Sequence, residues 1–211
     1  EYQPAPYYWG KCLPVKVGLY NFDIIHIDFY RARQPAFEAL KKGDTTIREE
    51  FTSKTWALEY NFPAVVDGKV KKTLVPNESV PSQQGWFFNT RKAKFGDLRT
   101  RLAIGLAFDF EWTNRNLFYD AYIRNASYFE KSDFAATGKP TPAELALLEP
   151  FRADLPAGVF IDDAYVPPKS DGSGSDRNLL RRASQLLTDA GWKASGGKMV
   201  AAGEFYSLAL S

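Results

Sequence analysis

A mixed α/β (α+β) fold, with a mixed sheet flanked by helices, follows from three features of the sequence. Short segments carry apolar residues at every second position, as half-buried strands do. Other segments carry apolar residues three and four apart between capping residues, as amphipathic helices do. The two kinds alternate: strand, helix and strand follow one another within about 25 residues, which is the unit of an α/β layer.

Residues 1–22 are rich in Pro, Gly, Tyr and Trp without a period, and are expected to form an extended arm. Ile24 to Tyr30 predicts a strand, with Ile25, Ile27 and Phe29 alternating against His26, Asp28 and Tyr30. "RQPAFEALKKGD" predicts a helix. Pro35 suits its first turn, Phe37 and Leu40 share a face, and Gly43 follows two lysines as a C-terminal cap. A strand is expected over 45–49, a helix near 53–60, a turn at Asp67-Gly68 and a strand over 70–75. A further strand over 85–90 precedes Gly96-Asp97, where Asp97 can cap a helix with Leu98, Leu102, Leu106 and Phe110 on one stripe.

Asp109 can cap a second helical segment carrying Trp112, Leu117 and Phe118. "TPAE" at Thr141 to Glu144 is the strongest local signal: an N-cap threonine, a proline at the first helical position and a glutamate three residues after the cap. That helix is expected to bury Leu145, Leu148 and Phe151 and to end at Pro150. "VPPKSDGSGSD" (166–176) predicts a loose loop. The last helix, from about Arg177 to Ala190, carries Leu179, Leu180, Ala183, Leu186, Leu187 and Ala190 on one face. Gly191 then serves as a left-handed cap, and Trp192 can fold back onto Leu187. A two-strand pattern follows "SGGK", and Tyr206, Leu208 and Leu210 alternate up to Ser211. An apolar strand ending there predicts a piece of a longer chain.

Composition narrows the function. The 211 residues are 45% hydrophobic and 25% charged, ordinary for a folded domain. Lys and Arg number 27 against 25 Asp and Glu, and the two signs interleave, which disfavours nucleic acid as a partner. Cys12 is the single cysteine and His26 the single histidine, so there is no intramolecular disulfide, no thiolate zinc site and little basis for a nucleophile–base pair. His26 lies in an apolar run and is expected to be an ordinary strand residue. No apolar run approaches the roughly 20 residues of a membrane-spanning helix. The first residues, "EYQPAPYYWGKCLP", have neither a basic start nor an apolar core, so they are not a signal peptide.

Six stretches together carry a resemblance: "YYWGKCLPVKVGLYNFD", "RQPAFEALKKGDTTIREE", "FFNTRKAKFGDLRTRLAIGLAFDFEWTN", "NLFYDAYIRNASYF", "TPAELALLEPFR" and "LLRRASQLLTDAGW". They run from Tyr7 to Trp192. The chain resembles the peptide/nickel class of extracellular solute-binding proteins, family five, the capture subunits of ABC importers. Within that class it is most similar to the oligopeptide and microcin-C-type binding proteins of Gram-negative bacteria. The resemblance implies one lobe of a two-lobed periplasmic binding protein. Residues 1–22 would be an arm from the end of the first lobe and 23–211 a partial second, ligand-binding lobe. The signal peptide and most of the first lobe would lie outside this sequence. It further implies a peptide ligand, ABC permease subunits and the first lobe of the same chain as partners, with no cofactor and no enzymatic activity. Cys12, Thr46 and Lys94 depart from the class, where acidic residues and a proline are usual, so no ligand contact is carried over at those points. "NES" at Asn77 and "NAS" at Asn125 match a glycosylation acceptor pattern that has no bearing on a bacterial protein.

In α/β lobes, ligands sit at the carboxyl ends of strands. Asn89 ends one such strand, and its carboxamide both donates and accepts, which suits an extended peptide backbone or its own turn. Trp86 and Phe88 share one face of that segment and Phe87 shares the other with Asn89. Trp86 and Phe88 are candidates for a side-chain pocket or for the core. Arg48 and Glu50 close another strand with charge, suited to a peptide's termini or to a lobe contact. Tyr119 and Tyr128 flank a loop that could reach the cleft. Two other readings remain. A small hydrolase could use the paired carboxylates Glu49-Glu50 or Asp162-Asp163, and a protein-interaction domain could use the aromatic arm "YQPAPYYW".

Overall fold

A computed structural model describes residues 1–201 apart from Tyr20, Glu78, Gln83 and Gly197. The alternating segment at Tyr206 to Leu210 lies outside the described residues. The chain divides into two compact units, Glu1–Lys72 and a second beginning at Thr73.

In the first unit, helix α1 (Arg33–Lys42) forms where the sequence predicts it. Gly43 closes it at φ 90°, a conformation that only glycine adopts without strain, and its N–H reaches Ala39 O at 3.1 Å and Leu40 O at 3.0 Å. Lys41 and Lys42 sit at the negative end of the helix dipole. The buried face is Phe37, Ala39 and Leu40. Phe37 lies 5.1 Å from the ring of Tyr60 and 6.0 Å from Phe62. These rings bring in α2 (Ser53–Leu58) and α3 (Pro63–Val66), the second started by a proline at its first turn.

The second unit contains the short α4 (Ala93–Gly96), α5 (Leu98–Ala107), α6 (Phe110–Leu117), α7 (Pro142–Leu148), α8 (Gly158–Ile161) and α9 (Arg177–Asp189). A hairpin of β1 (Trp192–Ser195) and β2 (Lys198–Ala201) follows α9, antiparallel, with Trp192 opposite Ala201 and Ser195 opposite Lys198. The caps read from sequence form. Asp97 accepts from Arg99 N, Asp109 from Trp112 N, and Thr141 and Glu144 make both bonds of a capping box. Past Leu148 the helix tightens into a single 3₁₀ turn, Glu149–Phe151, around Pro150.

The core of this unit is the packing of α5 on α9. Ala103 and Leu106 meet Ala183, with Leu179, Leu186 and Leu187 packed around them. The stripe expected on α5 is therefore rotated: Leu98 and Leu102 face solvent, and Thr100, Ala103 and Leu106 face inward. Two features set that rotation. Small residues let the helix backbones approach closely, and Thr100, wholly buried, receives a 3.0 Å hydrogen bond from Trp192 Nε1. Trp192 is thus pinned to α5.

Four expected strands do not form ladders among the described residues. The segments 24–30, 45–49, 70–75 and 85–90 are open chain, and the first contributes one isolated bridge, Ile25 with Tyr2. A strand is a paired state, and alternation supplies only a willing face; among the described residues no neighbouring strand lies beside these segments to complete a ladder. The arm expected over residues 1–22 is likewise not extended throughout: residues 6–19 fold into successive tight turns, such as Lys11 N to Tyr8 O at 3.2 Å and Lys16 N to Leu13 O at 2.8 Å. Phe151, expected in the core, is exposed because the 3₁₀ turn carries it off the face of Leu145 and Leu148.

Replacing Thr100 with valine leaves a buried indole N–H without an acceptor. We expect a loss of about 1–3 kcal/mol in urea-unfolding stability. The double variant with Trp192→Phe should lose less in total than the two single losses summed, since the shared bond is lost only once.

Candidate functional site

The segment around Asn89 forms a polar corner between extended chain and helix. Asn89 Oδ1 accepts from Arg91 N at 3.2 Å and from Arg91 Nε at 3.3 Å, and Asn89 O accepts from Lys92 N at 3.0 Å. This side-chain turn bends the chain into α4. Arg101, from α5, donates to Phe95 O at 2.7 Å and Gly96 O at 2.9 Å, closing α4 from behind. The Asn89 carboxamide nitrogen has no hydrogen-bond partner among the described residues and is exposed.

Alternation then sorts the aromatics. Phe88 packs against Phe95 at 5.1 Å, and Trp86 stands edge-on to Phe108 at 5.1 Å and 83°. Trp86 nevertheless keeps 75% of its surface exposed. Phe87, on the side of Asn89, is 73% exposed. The period of two placed Phe87 on the face of Asn89, and there its ring stands exposed beside the candidates Trp86 and Phe88.

Arg48 and Glu50 belong to the first unit, and the structure joins them into a closed polar cluster. Glu50 Oε2 accepts from Arg48 Nη2 at 3.2 Å, Arg48 Nε at 3.3 Å and Tyr60 Oη at 3.4 Å, while Oε1 accepts from Thr52 N at 2.9 Å. The Glu50 side chain is only 2% exposed, and the Arg48 guanidinium lies 5.6 Å from the centre of the Phe37 ring. Burial pushes the Glu50 carboxyl up, but the Thr52 N–H and the Arg48 guanidinium outweigh it and hold the group below its ordinary range. Both oxygens accept hydrogen bonds from within the first unit, which ties this carboxylate to its own neighbours. Tyr119 and Asp120 follow α6 with φ of 55° and 57°, a left-handed pair turning the chain sharply towards Tyr122.

The loop expected to be loose, 166–176, is instead heavily tied. Asp109 caps α6 and also accepts from Ser170 Oγ at 2.5 Å and Gly174 N at 2.8 Å. Glu111 Oε2 accepts from Ser170 N at 3.0 Å. Asp176 caps α9 through Asn178 N and Leu179 N and accepts from Asp171 N at 3.0 Å. At Gly174, φ is 83° and a Cβ would meet the Trp112 ring at 3.0 Å, so glycine is required there. The signal available in sequence was the pairing of Asp109 and Asp176, each just before a helix, with a Ser/Gly run able to bridge them. Among the described residues no helix is long and apolar enough to cross a membrane.

With this geometry described, comparison with known proteins places the chain. Residues 1–210 match the model of bacterial extracellular solute-binding proteins, family 5 Middle, and the chain belongs to that family. It is 43% identical over 193 residues to the uncharacterized protein YejA of Escherichia coli (strain K12), covering 92% of this chain and 32% of that protein. It is 41% identical over 200 residues to a putative binding protein of Brucella melitensis biotype 1, covering 94% and 32%. A third relative, the probable peptide-binding protein YejA of Agrobacterium fabrum, is 37% identical over 201 residues, covering 94% and 33%. The chain thus spans about a third of the length of the curated relatives it matches.

The carboxylates give a pH prediction. At Asp109 burial pushes the carboxyl up, but the Ser170 hydroxyl, the Trp112 and Gly174 N–H groups and the Arg115 charge together lower it. At Asp176 the Leu179 N–H leads the lowering. A carboxyl lowered on folding contributes stability that is complete above its unfolded value, near 3.9, and is lost as pH falls through the lower folded value. We expect urea midpoints to be flat from neutral pH to about 5 and to drop below about 4. Asp109→Asn should make that drop shallower.

Proposed function

We propose that this chain is part of the solute-capture component of an ABC importer, one that binds peptides in the periplasm and delivers them to the membrane permease. Family membership supports the transport role. The peptide is supported by the printed description of the Agrobacterium relative as a probable peptide-binding protein. The single structural observation that carries the reading is the corner at Gly85–Asn89, where extended backbone, exposed rings and the unpaired carboxamide N–H group of Asn89 lie together. An extended peptide is recognised by such parts: main-chain hydrogen bonds for affinity and flat apolar surface for side chains of many kinds.

In this reading Asn89, Phe87 and the open surface of Trp86 meet the ligand, Phe88 braces them, and Arg48 with Glu50 maintains the first unit. The remaining two thirds of the relatives' length supplies the other lobe and the strand partners of the open segments. Closure of one lobe on the other is driven by better ligand contacts in the closed state, with no bond made or broken in the cargo.

One lobe offers half of a cleft wall. Calorimetry should therefore find no micromolar affinity for oligopeptides with this chain alone and measurable affinity with the full-length polypeptide; micromolar binding by the chain alone overturns the two-lobe reading. In the full-length protein Asn89→Ala should weaken peptide binding about tenfold, equivalent to about 1.4 kcal/mol, and Glu50→Gln should lower stability while leaving peptide affinity nearly unchanged.

A further inference from the structure

The aromatic cluster of the first unit carries three cations, and they are not equivalent. Lys41 Nζ lies 4.3 Å from the centre of the Phe37 ring but is paired with Glu38 at 3.1 Å. Arg48 lies 5.6 Å from the same ring but is paired with Glu50. Lys72 Nζ lies 4.4 Å from the centre of the Trp56 ring and 5.8 Å from that of Tyr60, and it donates to the main-chain oxygen of Trp56. Among the described residues no carboxylate lies within ion-pair distance of Lys72. Its ammonium is held by ring faces and one carbonyl.

Those are the parts of a receptor for an alkylammonium group. A tryptophan face is the best aromatic partner for a cation, a second ring adds to it, and a carbonyl takes one N–H. The rings are fixed from behind: Trp56 and Tyr60 pack tilted at 54° with centroids 5.6 Å apart, Tyr60 packs on buried Phe37, and the Tyr60 hydroxyl is tied to Glu50. Lys72 is fixed by nothing comparable. It is exposed, its side chain has four rotatable carbons, and its backbone lies in the unladdered segment after α3. The preorganised half of the contact is the rings, and the mobile half is the lysine.

We infer that Trp56, Tyr60 and the Trp56 carbonyl form a subsite for a primary alkylammonium group, which Lys72 occupies until a ligand displaces it. The bearer we assign, on the peptide-capture reading above, is a lysine-type side chain. Displacement exchanges one ammonium for another on the same rings, so Lys72 lowers the affinity for cationic ligands without distorting the site. It also keeps the subsite charged in the absence of ligand, so that neutral apolar groups compete poorly.

The receptor is tested apart from the bearer. n-Butylammonium is titrated into this chain while the Trp56 indole N–H is followed by NMR, with n-butanol as the uncharged control. The midpoint in Lys72→Ala should fall at least tenfold below wild type, butanol should produce no matching shift, and Trp56→Phe in the Lys72→Ala background should raise the midpoint several-fold. Equal midpoints for wild type and Lys72→Ala, or equal responses to butanol and butylammonium, overturn the subsite. Lys72 is exposed and its hydrogen bond to the Trp56 carbonyl lies at the surface, so its removal leaves the fold intact. The bearer is tested in the full-length protein with a lysine-containing peptide and its norleucine counterpart. Preference for lysine, enhanced by Lys72→Ala, supports the assignment. If the probe titrates as expected and neither peptide binds, the subsite stands and the peptide as its ligand is overturned.

Discussion

The second unit is organised by one buried hydrogen bond, from Trp192 to Thr100, between side chains 92 positions apart. An indole N–H taken from water without an acceptor is costly, and so is a buried hydroxyl, so each group fixes the position of the other. Once Thr100 faces inward, helical geometry turns Ala103 and Leu106 inward as well and sends Leu98 and Leu102 to the surface. Ala183 on α9 then meets small residues, and the two helices approach closely. The hairpin that follows α9 begins at Trp192 itself, so the same bond sets where the chain goes after the helix.

A second constraint acts at helix beginnings. The first N–H groups of a helix lack intrahelical partners and attract negative charge. Asp109 and Asp176 satisfy this at α6 and α9, and each has acceptor capacity left over. That surplus is what orders the 170–176 loop: Ser170 and Gly174 bind the first carboxylate and Asp171 the second. A segment whose composition reads as a flexible linker is held because its donors are short, close to the backbone and within reach of two fixed carboxylates. Glycine at 174 follows from the same fit, since the loop crosses the face of Trp112.

Legibility in the sequence followed the range of the interaction. The capping box at Thr141, the caps at Asp97 and Asp109, the left-handed Gly43 and the extent of α1 and α9 all depend on residues within about four positions, and they were readable. The rotation of α5 was not, because its determinant lies 92 positions away. The open strands were half legible: alternation told which side chains share a face, and Trp86 and Phe88 do pack on Phe108 and Phe95, but pairing requires a neighbour that alternation does not encode. The Arg48–Glu50 pair was visible as charge and invisible as burial, since only the arrival of Tyr60 and Phe37 closes it off. Phe87 was within reach of the period-two argument; the placement of Lys72 over Trp56 was not, because a ring partner 16 positions away cannot be read locally.

The open segments bear most directly on function. Extended backbone bordered by exposed apolar side chains, as at Phe29, Phe87 and Ile123, is a hazard in an isolated protein because it templates pairing with other chains. Folded proteins cover such edges or use them. Among the described residues these segments expose many large apolar side chains beside a small set of buried ones. Relatives three times as long resolve the conflict in the proposed reading: most edges are paired by the remainder of the polypeptide, and the corner at Asn89, where a polar turn interrupts the apolar run, is left for an extended ligand. In that reading an extended ligand would complete through its main chain the pattern that these segments leave open, and main-chain bonds make no demand on side-chain identity.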